Sequence, residues 1–155
     1  MTPDQVLLVR SSWRAVAADS ETLATHFYAR LFEIDDSAAR LFAGVDMASQ
    51  RKRLAQALAV VVDALHDLDS LLPAIAALGK RHANYGVEHH HFDSVGEALV
   101  GALGAVLGAE FTLDVQTAWT DAYALVASVM RRALIRAAAP VVEEPGYGGT
   151  IRSAV

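Results

Sequence analysis

Leu71-Leu72-Pro73-Ala74-Ile75-Ala76-Ala77-Leu78-Gly79-Lys80-Arg81-His82-Ala83-Asn84-Tyr85-Gly86 is the stretch that decides the fold. Leu71, Ile75, Leu78 and Tyr85 recur at the three- and four-residue steps of one helix face. His82 falls on the same stripe, where the spacing predicts another hydrophobe. Ser70 stands where a cap belongs, Pro73 lies in the first turns, where a missing N–H costs little, and Gly86 marks the expected stop. Upstream, a second stripe reads Met47, Gln50, Leu54, Leu58, Val61 and Leu65, with Gln50 its one polar intruder. Two inward-facing helices that each carry one polar side chain can hold something polar between them.

The rest of the chain also reads as helix, because Ala, Leu, Arg and Glu dominate and β-branched runs are short. Thr2-Pro3-Asp4-Gln5 has the form of a capping box with proline in the first turn, and predicts a helix over roughly 3–18. Ser20 is the expected cap of a second, roughly 21–34, with Ala24, Phe27, Tyr28 and Leu31 inward. Asp36 should cap a short turn running through Arg40 to Phe42, and Ala43-Gly44-Val45 should form a corner. The helix bearing Gln50 is expected over roughly 47–66. Gly86 to His91 reads as a loop, followed by a helix over roughly 93–107 that stops at Gly108. Thr112 should cap a last helix with the stripe Val115, Trp119, Ala122, Val126, Val129 and Ala133. Beyond Ala138, the run of Pro140, Glu143, Glu144, Pro145, Gly146, Gly148 and Gly149 predicts a disordered tail. The expected division is therefore a domain over 1–137 and a tail over 138–155.

Bulk composition narrows the function. A chain of 155 residues with 54% hydrophobic content predicts one packed domain. Lys+Arg 13 against Asp+Glu 18 gives a net charge of −5, which argues against a general nucleic-acid binder. With Cys 0 there is no disulfide, thiolate nucleophile, iron–sulfur cluster or cysteine zinc site, a composition that fits a reducing cytoplasm. The N-terminus lacks the pattern of a signal peptide. The apolar runs read as shorter than the ~20 residues a transmembrane helix needs.

A histidine on an apolar face is ordinarily a core residue satisfied by a backbone carbonyl. Neutral imidazole is also the commonest metal ligand. One histidine is too few for zinc but enough for haem, where the porphyrin supplies four nitrogens. The second ring nitrogen of His82 could donate to the Leu78 carbonyl one turn back. Gln50, Tyr28 and Phe42, each taken alone, read as ordinary helix-surface or core residues. His89-His90-His91 reads as a solvated loop without the geometry of a specific metal site, and His26 as a helix-surface or helix-contact residue.

The order of these residues carries more than any one of them. Phe27-Tyr28-Ala29-Arg30-Leu31-Phe32, Leu41-Phe42, Ser49-Gln50-Arg51-Lys52-Arg53-Leu54, Leu78 through Val87, Val95-Gly96, Ala118-Trp119 and Tyr123 form a series. The series resembles the single-domain bacterial globins, in the lineage of flavohaemoglobins and neuroglobin-like proteins. The resemblance implies an all-α globin fold, a three-on-three helical sandwich around a haem pocket. It implies one non-covalent haem b, there being no Cys-x-x-Cys-His for covalent attachment. His82 is then the proximal iron ligand, and Phe42 packs on the porphyrin. Tyr28 and Gln50 are the distal pair facing a bound gas, and Leu54 walls that pocket. Arg53 is placed to reach a propionate, or is a solvated charge. Leu78, Val87, Phe92 and Val95 line the proximal side. The implied function is reversible, high-affinity oxygen binding for storage, delivery or scavenging, with NO and CO as further ligands. The alternatives are nitric oxide dioxygenation with an external reductase and haem-based gas sensing. The chain also departs from its lineage. No histidine stands at the Gln50 position. Phe92 stands where flavohaemoglobins carry a tyrosine, and Met130-Arg131-Arg132-Ala133-Leu134 lacks their glutamate. No flavin- or nicotinamide-binding segment is read.

Overall fold

In the computed structural model, which describes residues 1–138, seven α-helices account for most of the chain. They are α1 (Pro3–Ala17), α2 (Ser20–Ile34), α3 (Asp36–Leu41), α4 (Met47–Asp63), α5 (Leu72–Asn84), α6 (His89–Leu107) and α7 (Leu113–Ala138), with short 3₁₀ segments at Leu65–Leu71 and Gly108–Glu110. No strand occurs among the described residues. Two pairings dominate, α2 on α6 and α5 on α7, while α6 also meets α7 and α1 packs on α7 and α4. The core follows the apolar stripes: Leu23, Leu31, Leu103, Val9 and Val16 are almost completely buried.

Polar contacts set the register between distant helices. Trp119 Nε1 donates to Ser12 Oγ at 2.9 Å, and the Trp13 and Trp119 rings lie 6.2 Å apart, which ties α7 to α1. Gln5 closes the capping box at Thr2 and also donates to Asp121 Oδ2 at 2.6 Å. On the other side of α7, Gly79 lets α5 approach the helix closely. A β-carbon there would lie 2.8 Å from the Met130 carbonyl oxygen and 2.9 Å from Ala133 Cβ. Gly86 has φ +81, so the chain leaves α5 through a left-handed residue that favours glycine.

Several boundaries differ from the sequence reading. Asp19, not Ser20, caps α2, accepting from Thr22 N and Thr22 Oγ1. Asp35, not Asp36, caps α3, accepting from Ser37 N and Ala38 N. In both cases a carboxylate one residue earlier meets the positive end of the helix. The helix expected to run to 66 ends at Asp63, and the chain breaks at Asp67 (φ −142) within the 3₁₀ segment. Ser70 does not cap α5. Its hydroxyl donates to the Asp67 carbonyl, and α5 begins with Pro73 in its first turn and no side-chain cap. Tyr85, placed on the inner stripe, is 67% exposed because the helix closes at that residue. The loop expected through His91 is already helix from His89. The 22-residue run His89–Glu110 is long and apolar enough, by length and composition, to cross a membrane, contrary to the sequence reading. Its Phe92, Leu99, Leu103 and Leu107 are buried in the bundle. Of the stretch read as a tail, Ala138 belongs to α7 and 139–155 lie outside the described residues.

The contact at Gly79 gives a direct test. Gly79→Ala gains about 1 kcal/mol of helix propensity, yet its methyl would strike backbone. We expect net destabilisation of about 1–2 kcal/mol and a lower Tm by thermal unfolding.

Candidate functional site

α2 carries Tyr28 into the interior, where the residue is 5% exposed. Phe27 and Phe42 meet its ring edge-on at 4.9 and 5.3 Å between centroids, and Phe32 lies at 5.8 Å. This aromatic cage fixes the ring and hence the position of the hydroxyl. Phe42 comes from the end of α3, so the turn after that helix is built into the site.

α4 supplies the polar partner. Gln50 Nε2 donates to Tyr28 Oη at 3.0 Å. Gln50 Oε1 accepts from Arg53 Nη1 at 3.4 Å. Arginine has no acceptor, so the amide must face it with oxygen and face Tyr28 with nitrogen. Tyr28 Oη therefore receives one hydrogen bond and keeps its own O–H for another acceptor. Burial pushes the Tyr28 phenol above its ordinary value, opposed by the Gln50 hydrogen bond and the Arg53 charge. The group is thus a neutral donor at physiological pH. Leu54, one turn after Gln50, and Leu58 are half-buried against the same core.

His82 is half-buried on α5. Its Nδ1 lies 2.7 Å from the Leu78 carbonyl oxygen, and a carbonyl only accepts, so Nδ1 carries the proton. In the neutral ring Nε2 then holds the lone pair. Burial pushes the imidazole below its ordinary value, partly opposed by the Leu78 bond, and so favours the neutral form. Leu78, Val87 and Phe92 belong to a small apolar cluster with Ile75, Met130 and Leu134. Tyr28, Phe42, Leu54 and Val95 belong to the larger one, and Leu68 and Tyr123 touch both. The structure thus joins Tyr28, Gln50, Phe42 and Arg53 on one side and His82, Leu78, Val87 and Phe92 on the other, with Val95 falling in the first group's core. α4 and α5, which carry the two polar residues, do not pack extensively on each other. α4 rests on α2 and α1, and α5 on α7.

The sequence reading gave no role to some residues around Phe92. Tyr123 Oη donates to the Phe92 carbonyl, and burial pushes that phenol far above its ordinary value. The Arg131 guanidinium lies 5.3 Å from the Phe92 ring centroid and pairs with Asp93 at 2.6 Å. The histidine run lies at the start of α6, with His91 only 5% exposed. The available signal was Glu88 three residues before His91, a spacing with capping-box form.

The sequence pattern of the globin family matches residues 25–130. The chain is 29% identical over 126 residues to a flavohemoprotein of Rhodopirellula baltica, covering 80% of this chain and 31% of that protein. It is 30% identical over 144 residues to a flavohemoprotein of Bordetella parapertussis, covering 90% and 36%. It therefore spans about a third of the length of these curated relatives. Among solved structures it is similar to an engineered carbene transferase from Rhodothermus marinus, described as a candidate nitric oxide dioxygenase. The TM-score is 0.79 at 27% identity, over 88% of this chain and 94% of that one.

The buried phenols predict a split titration. Tyr28 and Tyr123 should ionise above the ordinary value of 10.0. In ultraviolet absorbance, Tyr28→Phe should remove a late-titrating component and leave the early one. Loss of an early component would contradict the burial argument.

Proposed function

The chain belongs to the globin family, and from that premise we propose that it holds one haem b through His82 and binds oxygen reversibly with high affinity. Haem and gas binding follow from the family. The donor set suits the group: one neutral imidazole with Nε2 free, apolar side chains from α4 and α5, and no second basic ligand at the Gln50 position. The haem iron supplies the coordination site at which a diatomic gas is held.

One observation carries the oxygen reading, the polarised run Arg53 to Gln50 to Tyr28. Each group donates to the next, which leaves the phenol O–H as the terminal donor. A diatomic ligand that gathers negative charge gains most from such a donor, by ~1.5–3 kcal/mol. At about 1.4 kcal/mol per decade this is roughly one to two decades in release rate. Tyr28 as a whole is only 5% exposed, which limits its contact with bulk water. Arg53 is the first donor of this relay, a role distinct from the propionate contact suggested by the resemblance.

A second reading is nitric oxide dioxygenation, with electrons from a reductase. The likeness to the Rhodothermus marinus protein favours it. The proximal side favours binding over turnover. His82 Nδ1 donates to a neutral carbonyl, a weaker acceptor than a carboxylate, so the ring gains little added basicity. Phe92 stands where the flavohaemoglobin lineage is expected to place a tyrosine, and Met130-Arg131-Arg132-Ala133-Leu134 lacks the expected glutamate.

His82→Ala should lower haem content more than tenfold in a pyridine haemochrome assay while the helical circular dichroism persists. Tyr28→Phe should speed oxygen dissociation tenfold or more in stopped flow. Unchanged haem content in the first variant would sink the proximal assignment, and an unchanged rate in the second the distal one. Rapid nitrate formation from NO with a flavin reductase would favour the second reading.

A further inference from the structure

The three adjacent histidines at the start of α6 have different surroundings. His89 is exposed, the His90 side chain is 52% exposed, and His91 is buried. The Glu88 backbone N–H donates to His91 Nδ1 at 2.8 Å. Nδ1 must therefore hold a lone pair, and the proton of the neutral ring sits on Nε2. That Nε2–H donates to Ser37 Oγ at 2.8 Å, and Ser37 donates in turn to Asp35 Oδ1 at 2.5 Å. His90 Nε2 also lies 3.0 Å from Ser37 Oγ; because Ser37 gives its one proton to Asp35, both imidazoles must meet it as N–H donors, and donors and acceptors then match along the run. The Asp35 side chain is 10% exposed. It also caps α3 and accepts from Ser94 Oγ at 2.7 Å. The Ser37 and Ser94 hydrogen bonds hold its carboxyl far below the ordinary range.

The run joins two corners of the site. Asp35 caps the start of α3, and Phe42, which caps its end, packs against the Tyr28 ring. Glu88 lies in the corner that follows α5, where the Val87 N–H donates to the His82 carbonyl at 3.2 Å. The same corner passes close to Leu41 at Gly86. We propose that His91 is a positioning residue for the proximal site. Through Ser37 and Asp35 it clamps the corner after α5 to the start of α3, and it does so only as the neutral Nε2–H tautomer. The inference rests on the assignment of His82 to the iron.

The clamp depends on proton count, and so on pH. A proton on Nδ1 would expel the Glu88 N–H. The charged groups facing the ring are Asp35 from α3, Glu88 from the corner and His90 beside it. The two carboxylates favour protonation, His90 opposes it, and burial opposes it most. The net direction is below the ordinary 6.5. The unfolded chain therefore takes up this proton first, and folded stability falls as pH drops below that value. The clamp holds at neutral pH and opens as pH falls through the lowered folded value. Asp35, His90 and His91 also bring donor atoms within 4.8 Å of one another, as a metal site would. A cation at His91 Nε2 would force the ring proton onto Nδ1, against the Glu88 N–H. The proton count thus favours the clamp.

The test uses the full haem-loaded chain and the variants His91→Gln, His91→Ala and Ser37→Ala. Two quantities are followed from about pH 8 to about pH 5: Glu88 amide hydrogen exchange in the ferrous CO form, and the iron–histidine stretching band of the ferrous form. In wild type the band should shift on acidification. Glutamine is the usual partner in a capping box and does not titrate, so His91→Gln should match wild type at neutral pH and stay flat in acid. His91→Ala and Ser37→Ala should resemble acidified wild type already at neutral pH, with Glu88 exchange faster by tenfold or more. The clamp is overturned if His91→Gln keeps the acid response, or if His91→Ala leaves Glu88 exchange unchanged. A stoichiometric rise in Tm with Zn²⁺, lost in His91→Gln, would replace it with a metal site. Absence of any iron–histidine band would sink the His82 assignment alone, since Glu88 exchange still decides the clamp.

Discussion

The bond between His82 Nδ1 and the Leu78 carbonyl, at 2.7 Å, is the constraint from which the site's chemistry follows. It is made within one helix, so it needs no distant partner to form. It settles which nitrogen carries the proton and leaves Nε2 as the only lone pair of the neutral ring. It also takes up the ring's only donor, which removes the cost of burying it unpaired. The helix that carries this bond is held by Gly79, whose missing side chain lets α5 lie against the backbone of α7.

The two sides of the site are built on opposite principles. Around Tyr28 the polar groups are linked in series, from the exposed Arg53 through Gln50 to a phenol held among phenylalanines. Around His82 the polar contact is local and neutral, and the apolar cluster beside it is mostly aliphatic, with Phe92 and Tyr123 its aromatic members. A series of donors strengthens the final O–H by polarisation. A carbonyl acceptor leaves an imidazole close to its intrinsic basicity. One side thus offers a terminal O–H donor, and the other a neutral imidazole with an available lone pair.

Helix stripes were legible in the sequence because burial follows period. Val115, Trp119 and Ala122 face inward as their spacing requires, and the Leu78 partner of His82 follows from a one-turn offset. Caps were less legible. Asp19-Ser20 and Asp35-Asp36 each offer two capping residues in succession, and only the three-dimensional approach of the free N–H groups decides between them. The His89-His90-His91 run misled the reading because polar residues at a helix start look like a loop. His91 is buried by a hydroxyl from another helix, Ser37, more than fifty residues away in sequence. Tyr85 kept the stripe's spacing but lies where the helix closes, so periodicity no longer governed it. The Tyr28–Gln50 contact joins two helices, and spacing within either one carries no information about it.

The order of the helices along the chain bears on how the protein comes to be folded. α1 and α5 both find a main partner in α7, which follows both of them in the sequence. Until it emerges, the nascent polypeptide carries the apolar α6 without the contacts that α7 makes to it. The α1 and α5 contacts therefore complete only once α7 has been made, and the interval favours holding by a chaperone over early collapse.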